Sequence, residues 1–431
     1  MKNRPFLQTA FLSLLGRTGG LLIPFLIAYF YGATVQTDAF FLAYSLSIAF
    51  MTLFSQMYES AMIPYLAVSQ GIQSRCLWFI KSTLKTSLPL FSVLGFLLAW
   101  GLKPVLLRVG WSLEGASLVR QIMFAMQPFF WFGLGTAAWH ALFYNRNIFW
   151  FPAVSPLVRA LVVIGCIFGV HRLLGIHALT AGLALGEFLR FCLACRLGNS
   201  LGSLSTDGFK ADETDRILLK KFYADAFWQM AALLAIHLMV VADQCFAQTA
   251  GDGRLTLLSY ADRLIQIPYL LFLSGFLNIF HADWSQALAK SSSDLFLKLR
   301  RDLFWVLLGA LLTAMILMVT AKLNIQLFYG KAAISEEEKS VLTGLFFWYA
   351  LALIPGVLRL ALGRVLIVMR ASKFYFIQAW IELALNVTLN FFFLRLYGVA
   401  GIAMATAAVY FLSSIWLVAY IYSVKVRRTA V

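Results

Sequence analysis

The chain has 431 residues, of which 61% are hydrophobic and 13% charged, with a mean hydropathy of +0.82 and a formal net charge of +16. That balance excludes a soluble globule and describes a polytopic membrane protein. Nucleic acid is not the implied partner of the positive charge, because the basic residues are dispersed over loop ends, where they face anionic lipid headgroups.

Taking about 20 apolar residues per span, the pattern predicts twelve transmembrane helices. They lie near residues 6–31, 37–66, 84–107, 117–143, 148–170, 174–196, 222–247, 255–284, 302–324, 340–368, 372–395 and 399–423. The first begins like a signal peptide, with Lys2 and Arg4 ahead of an apolar run. That run continues to Tyr31, carries Arg17 and lacks a small-residue cleavage site, so it reads as a span. The polar stretch from Gly198 to Lys221 divides six helices from six, predicting an N-terminal lobe over 1–200, a cytoplasmic linker over 201–221 and a C-terminal lobe over 222–431. The outward segment from Asn324 to Lys339, with Glu336, Glu337 and Glu338, is the most acidic loop. No loop is long enough for an extramembrane catalytic domain.

Twenty-one lysines and arginines fall on one set of loop ends and helix termini, among them Lys81, Arg190, Lys298 and Arg427, against nine on the other, such as Arg108, Lys331 and Arg395. The positive-inside rule then puts both termini in the cytoplasm. Cys76, Cys166, Cys192, Cys195 and Cys245 all lie in or beside apolar segments. The CxxC of Cys192 and Cys195 places both on one helix face, as small packing residues more than a redox pair. The five histidines show no metal-ligand spacing, and no Ser-His-Asp order or phosphate loop is present. No metal, cofactor or catalysis is implied.

The halves resemble each other. Gly175-Ile176-His177-Ala178-Leu179-Thr180-Ala181 matches Gly401-Ile402-Ala403-Met404-Ala405-Thr406-Ala407 at four of seven positions, an offset of 226. Each copy follows a cytoplasmic turn between the fourth and fifth helices of its half. The repeat is therefore parallel, with a pseudo-twofold axis along the membrane normal, an arrangement known in transporters that bind cargo between two lobes.

The charges read as intramembrane are Arg17, Asp38, Glu59, Arg159, Glu187, Asp243, Asp262, Arg263, Arg359, Arg364 and Glu382. Each costs about 2.5–3.5 kcal/mol at mid-helix, so each calls for a wet cavity or a partner. Tyr260-Ala261-Asp262-Arg263, followed by Leu264 and Pro268, resembles the YADR-L-x-x-x-P signature of the MurJ/MviN family of lipid II flippases. Gly16-Arg17, Gly20, Gly32-Ala33 and Thr37-Asp38-Ala39-Phe40-Phe41 are similar to that family's first hairpin. Asn386, Asn390, Gly398 and Gly401 resemble the tail shared with multidrug and polysaccharide exporters.

The resemblance implies a two-lobed flippase in a bacterial inner membrane, expected as a monomer. It would carry a polyprenyl-pyrophosphate-linked saccharide, lipid II or another, by alternating access around a cationic cavity. Arg17 and Arg263 would meet the pyrophosphate, since guanidinium forks match phosphate oxygens; salt bridges with Asp38, Glu59 or Asp262 are the other reading. Arg359 and Arg364 either join them or snorkel from a helix end. Asp38 is placed to cap the second helix. Asp243 is a candidate for coupling to a cation, or simply a capped carboxylate. Two family charges are missing, replaced by Ile23-Pro24 and Met51, and the family's full-length members have fourteen helices where twelve are counted here. A cation-coupled drug exporter of the same superfamily is the alternative, which would favour an acidic cavity. A membrane polymerase or ligase would need a large outward loop, and a silent scaffold is also compatible with the sequence.

Overall fold

The structure, a computed structural model, describes residues 4–58, 62, 73–146, 148–200, 212–272, 280, 284, 287, 292–369 and 371–429. Its described elements are fourteen α-helices: α1 (Arg4–Tyr31), α2 (Val35–Gln56), α3 (Gln73–Arg108), α4 (Leu113–Ala125), α5 (Gln127–Asn145), α6 (Trp150–Leu174), α7 (His177–Ser200), α8 (Glu213–Thr249), α9 (Arg254–Leu271), α10 (Ser292–Val319), α11 (Ala321–Tyr329), α12 (Glu336–Val368), α13 (Ser372–Tyr397) and α14 (Ala400–Thr429). Among the described residues, eight helices are each long and apolar enough to cross a membrane. The protein is an all-α polytopic membrane protein, and every predicted span meets a helix.

Two predicted spans are each divided. The fourth breaks into α4 and α5 at Met126, because Pro128 at the start of α5 has no N–H to continue the ladder. The ninth ends at Thr320, whose hydroxyl donates to the Ile316 carbonyl at 2.6 Å and accepts from Asn324 Nδ2 at 2.8 Å, before α11 sets off. Two polar stretches prove to contain helix starts. Glu336, Glu337 and Glu338 are the first turn of α12, not a loop. There Glu338 N–H donates to Ser335 Oγ (3.2 Å) and Ser335 N–H to Glu338 Oε2 (2.6 Å), a reciprocal capping box. Likewise α8 begins inside the expected linker. Asp215 N–H donates to Asp212 Oδ1 at 2.8 Å and Asp212 N–H to Asp215 Oδ2 at 3.2 Å, while Arg75 Nε reaches Asp215 at 2.5 Å.

The chain forms two compact units. One comprises Met1–Leu26 with Val35–His237, the other Ile27–Thr34 with Leu238–Val431. In the first, α6 lies along α7, α7 also packs on α5, the Phe143 and Phe151 rings bring α5 and α6 together, and a core of Phe54, Tyr58, Phe79, Phe91 and Phe222 joins α2, α3 and the start of α8. In the second, α12 runs against α14, α10 and α9, over a core that includes Trp284, Leu362, Val365 and Leu417.

The internal repeat is visible in the backbone, at a different register from the one that sequence identity suggests. Gly175 ends α6 at φ 53°, ψ −135°, and Gly398 ends α13 at φ 61°, ψ −152°; these positive φ values suit glycine, which has no Cβ to clash. Their N–H groups donate to His171 O and Leu394 O, each at 2.9 Å. One turn earlier in each half, Ile148 N–H donates to Phe143 O (2.8 Å) and Ala371 N–H to Leu366 O (2.9 Å). Every pair is displaced by 223 residues (398 − 175, 371 − 148), not 226. A slip of three is close to one 3.6-residue turn, so small packing residues align in either register and the identities misled.

Candidate functional site

The α6–α7 contact in the first unit is built on small residues. Gly182 and Gly186 of α7 have GxxxG spacing, and a Cβ at Gly186 would lie 2.9 Å from the Arg159 Cα. This approach brings Arg159 of α6 onto Glu187, Nη1 to Oε2 at 3.2 Å. Arg190 Nη1 bonds both Glu187 oxygens at 2.9 and 2.8 Å, and its Nη2 donates to Ser155 Oγ at 3.0 Å. Ser155 Oγ in turn lies 3.4 Å from His140 Nε2. The cluster lines a cavity of about 460 Å³ with Thr52, Ser55, Thr136 and Tyr144. Met51, where the resemblance leads one to expect a basic residue, lines it too.

Arg190 is a correction to the sequence reading. It was counted with the cytoplasmic loop ends, yet it is only 6% exposed and tied to a carboxylate three residues away. The i,i+3 spacing of Glu187 and Arg190 is the signal that would have found it. Without it the loop charges stand at 20 against nine, which leaves the asymmetry intact.

In the second unit, Asp243 of α8 does not stand alone. Its Oδ1 accepts from Asn386 Nδ2 (2.9 Å) and Asn390 Nδ2 (2.6 Å) of α13, and its Oδ2 from Thr406 Oγ1 of α14 (3.3 Å). The buried Asn390 Oδ1 has no hydrogen-bond partner. Carboxylate, amide and hydroxyl oxygens together suit a hard cation, and turning the two amides over would present further oxygens. Among the described residues, no group of three or more His, Cys, Asp and Glu is placed to hold a metal.

The YADR stretch divides by role along α9. Tyr260 is fully buried; it donates to the Gly32 carbonyl at 2.8 Å, stacks on Tyr329, and accepts on its own carbonyl from the Tyr329 hydroxyl. Asp262 and Arg263 are joined by Gln266, which donates to Asp262 Oδ2 at 2.5 Å and accepts from Arg263 Nη1 at 2.8 Å. Gln266, one turn on from the motif, was missed in the sequence.

Arg359 of α12 does not reach for solvent. It is clamped by Glu382 of α13, Nε at 2.9 and 3.0 Å and Nη2 at 2.5 Å, with Gln378 Nε2 on the same carboxylate at 2.7 Å and the Tyr410 ring 5.2 Å away. In the 223 register, Glu382 corresponds to Arg159 and Arg359 to Thr136. Each half thus hangs an ion pair from the same position of α6 or its counterpart α13, with opposite polarity.

The other expected residues lie on α1, α2 and α12 or outside the described residues. Asp38 is fully buried within the first turn of α2, which starts at Val35, so it lies inside the helix and not ahead of it as a cap. Arg364 is half-buried on α12. Arg17 lies on α1, while Glu59 is outside the described residues. Pro355 within α12 is fastened by Ser414, whose hydroxyl donates to its carbonyl at 3.0 Å.

Residues 27–428 match the family described as "Lipid II flippase MurJ". The chain belongs to that family. A curated member from Helicobacter pylori (strain J99 / ATCC 700824), "Probable lipid II flippase MurJ", is 25% identical over 87% of this chain and 85% of its own. Among solved structures, "Lipid II flippase MurJ, inward closed conformation" aligns with a TM-score of 0.80 at 20% identity, over 97% of this chain and 87% of that one. An inward-facing multidrug resistance transporter of the MATE family aligns at 0.81 with 11% identity, over 96% and 99%. At such identities the structural likenesses establish the fold that MurJ-family members share with the MOP superfamily. The named relatives are flippases and transporters.

Proposed function

We propose that this MurJ-family chain is a flippase that moves a polyprenyl-pyrophosphate-linked saccharide, lipid II in the first instance, from the cytoplasmic to the outer leaflet of a bacterial inner membrane. The observation that carries this is the family match over residues 27–428. Lobes of residues 1–200 and 222–431, joined through 201–221, alternate access while the polyprenyl tail stays in the bilayer. No bond is made or broken in the cargo. The protein acts as a monomer, and both of its termini are cytoplasmic, an orientation supported by the charge asymmetry of 20 to nine.

Arg17 and Arg263 are the pyrophosphate contacts, with Arg263 oriented through Gln266. Asp262, Asp38 and Glu59 set the charge balance around them, and Arg364 is a further cationic contact. Arg359 acts at one remove, because Glu382 already holds its guanidinium. Asp243 with Asn386, Asn390 and Thr406 is the coupling-cation site.

The test is complementation. A host depleted of its own lipid II flippase regains growth when this chain is expressed, and does not with Arg263→Ala at equal membrane abundance. A second reading, a cation-coupled drug exporter, draws on the same Asp243 site and the MATE-like fold. Loss of complementation together with a raised tolerance to cationic drugs would favour it.

A further inference from the structure

The cavity inside the first unit has no role in that reading, yet its lining has the make-up of an anion site. The volume of about 460 Å³ lies within the range of ~300–1,000 Å³ typical of small-ligand pockets. Glu187 is the one carboxylate in its wall, and that side chain is wholly buried and paired with two guanidinium groups, Arg159 and Arg190. The cluster therefore carries one net positive charge. Thr52, Ser55 and Tyr144 add hydroxyls that can donate to anionic oxygens.

The two arginines are not equivalent. Arg190 is spent on Glu187 and Ser155, and its side chain is 7% exposed. Arg159, 22% exposed, gives Nη1 to Glu187, and among the described residues its Nε and Nη2 have no hydrogen-bond partner. The Phe129 ring, 5.6 Å from its Cζ, supports the guanidinium plane. Glu187 and the close Gly186 contact hold Arg159 at the wall, so the fork is set in place before a ligand arrives. The helix α1 is seated on the same stretch of α6: a Cβ at Gly16 would lie 2.1 Å from the Ala153 carbonyl oxygen, and one at Gly19 2.7 Å from the Ala160 Cβ. The backbone of Arg17 is thus held beside the turns of α6 that carry Arg159, and its charge makes three guanidinium groups against one carboxylate.

We propose that this cavity is a diphosphate site, in which Arg159 is a further contact for the pyrophosphate of the cargo and Arg17 on the neighbouring helix supplies the balancing charge. The proposal rests on the reading of the cargo as a polyprenyl-pyrophosphate-linked saccharide. A pyrophosphate joined at both ends carries two negative charges, one per phosphate, and so matches the two guanidinium groups that Glu187 leaves unbalanced. A guanidinium with two open donors suits two oxygens of one phosphate. Met51 of α2 lines the same cavity, against Gly133 of α5, so a cation introduced there would meet the same ligand from another helix.

The full chain in lipid nanodiscs is titrated with farnesyl pyrophosphate and with farnesyl monophosphate. The wild type is expected to prefer the pyrophosphate by about tenfold, the worth of one charge-assisted contact. Arg159→Gln removes most of that preference while Arg190 still neutralises Glu187, and Arg159→Lys keeps part of it, as a point charge without the fork. Adding Met51→Arg to Arg159→Gln restores most of the loss, which a merely structural role for Arg159 would not allow. Should the glutamine variant fail to fold, Arg159→Lys carries the test, with a reduced preference expected and an unaltered one overturning the proposal. An unchanged pyrophosphate affinity in Arg159→Gln, equal losses for both probes, or a loss that neither Arg159→Lys nor Met51→Arg recovers would also overturn it. Complementation by the wild type with affinity unchanged in Arg159→Gln sinks this site alone. Failed complementation with the loss and its rescue intact sinks the flippase reading and leaves the site standing.

Discussion

Asn390 donates a hydrogen bond of 2.6 Å to Asp243, although 147 residues separate them in the chain. With Asn386 and Thr406 it surrounds the carboxylate by polar groups from α13 and α14. A buried carboxylate in a span is tolerated only with such partners, and these partners are also oxygen-bearing.

From this geometry, a monovalent cation such as sodium stabilises the wild-type protein against heat. At about 100 times its dissociation constant the gain is ~2.7 kcal/mol. Asp243→Asn retains the side-chain shape but loses the charge, and should remove most of the difference in melting temperature between sodium and choline. An unchanged difference in that variant would place the cation elsewhere.

The Arg359–Glu382 pair predicts a strong asymmetry between single and double substitution. Glu382→Gln leaves the Arg359 charge buried without its counter-ion and should cost about 3–5 kcal/mol. Replacing both, as Arg359→Met with Glu382→Leu, should recover much of the loss. Denaturant unfolding of the four proteins gives the coupling energy, and purely additive single effects would deny the pair any energetic role.

Gln266 is expected to matter for transport without being essential to the fold. Gln266→Leu removes the hydrogen bond that orients Arg263, worth about 1.5 kcal/mol for a charged donor, or roughly a tenfold fall in flipping rate. Arg263→Ala abolishes flipping, and Arg263→Lys restores only part of it, as a point charge lacks the bidentate fork. A full rate in the Gln266→Leu protein would show that Arg263 is oriented by other means.

The capping box at the start of α12 offers a local test. Ser335→Ala loses the cap of one N–H and should cost about 1 kcal/mol, while Ser335→Gly costs only a few tenths. Equal melting temperatures for wild type and Ser335→Ala would mean that the start of α12 is stabilised wholly by packing.

Orientation is checked with cysteines. One introduced at Ser292 should react with an impermeant thiol reagent only from the cytoplasmic side, and one at Ser335 only from outside. The reverse pattern would invert the proposed direction of export.

Much of this protein is legible one span at a time. Membrane class, the positions of twelve spans and the Tyr260–Arg263 motif follow from local sums over about 20 residues, since transfer into lipid depends on composition and not on neighbours. Even the helix starts at Asp212 and Ser335 are local, because a capping box spans only four residues, although their acidic composition reads first as loop.

What the tertiary structure decided is which charged face meets which. The repeat register of 223, the placing of Arg190 inside the bundle, and the meetings of Asp243 with Asn390 and of Arg359 with Glu382 all depend on how each helix is rotated about its axis. That rotation is set by contacts such as Gly186 against Arg159, where the absence of a side chain on one helix lets another approach. Hydropathy is almost unchanged by turning a helix through 100°, but the partner of every buried charge is replaced. The sequence by itself therefore determined where the charges lie along the membrane normal, and only packing between helices determined what each of them binds.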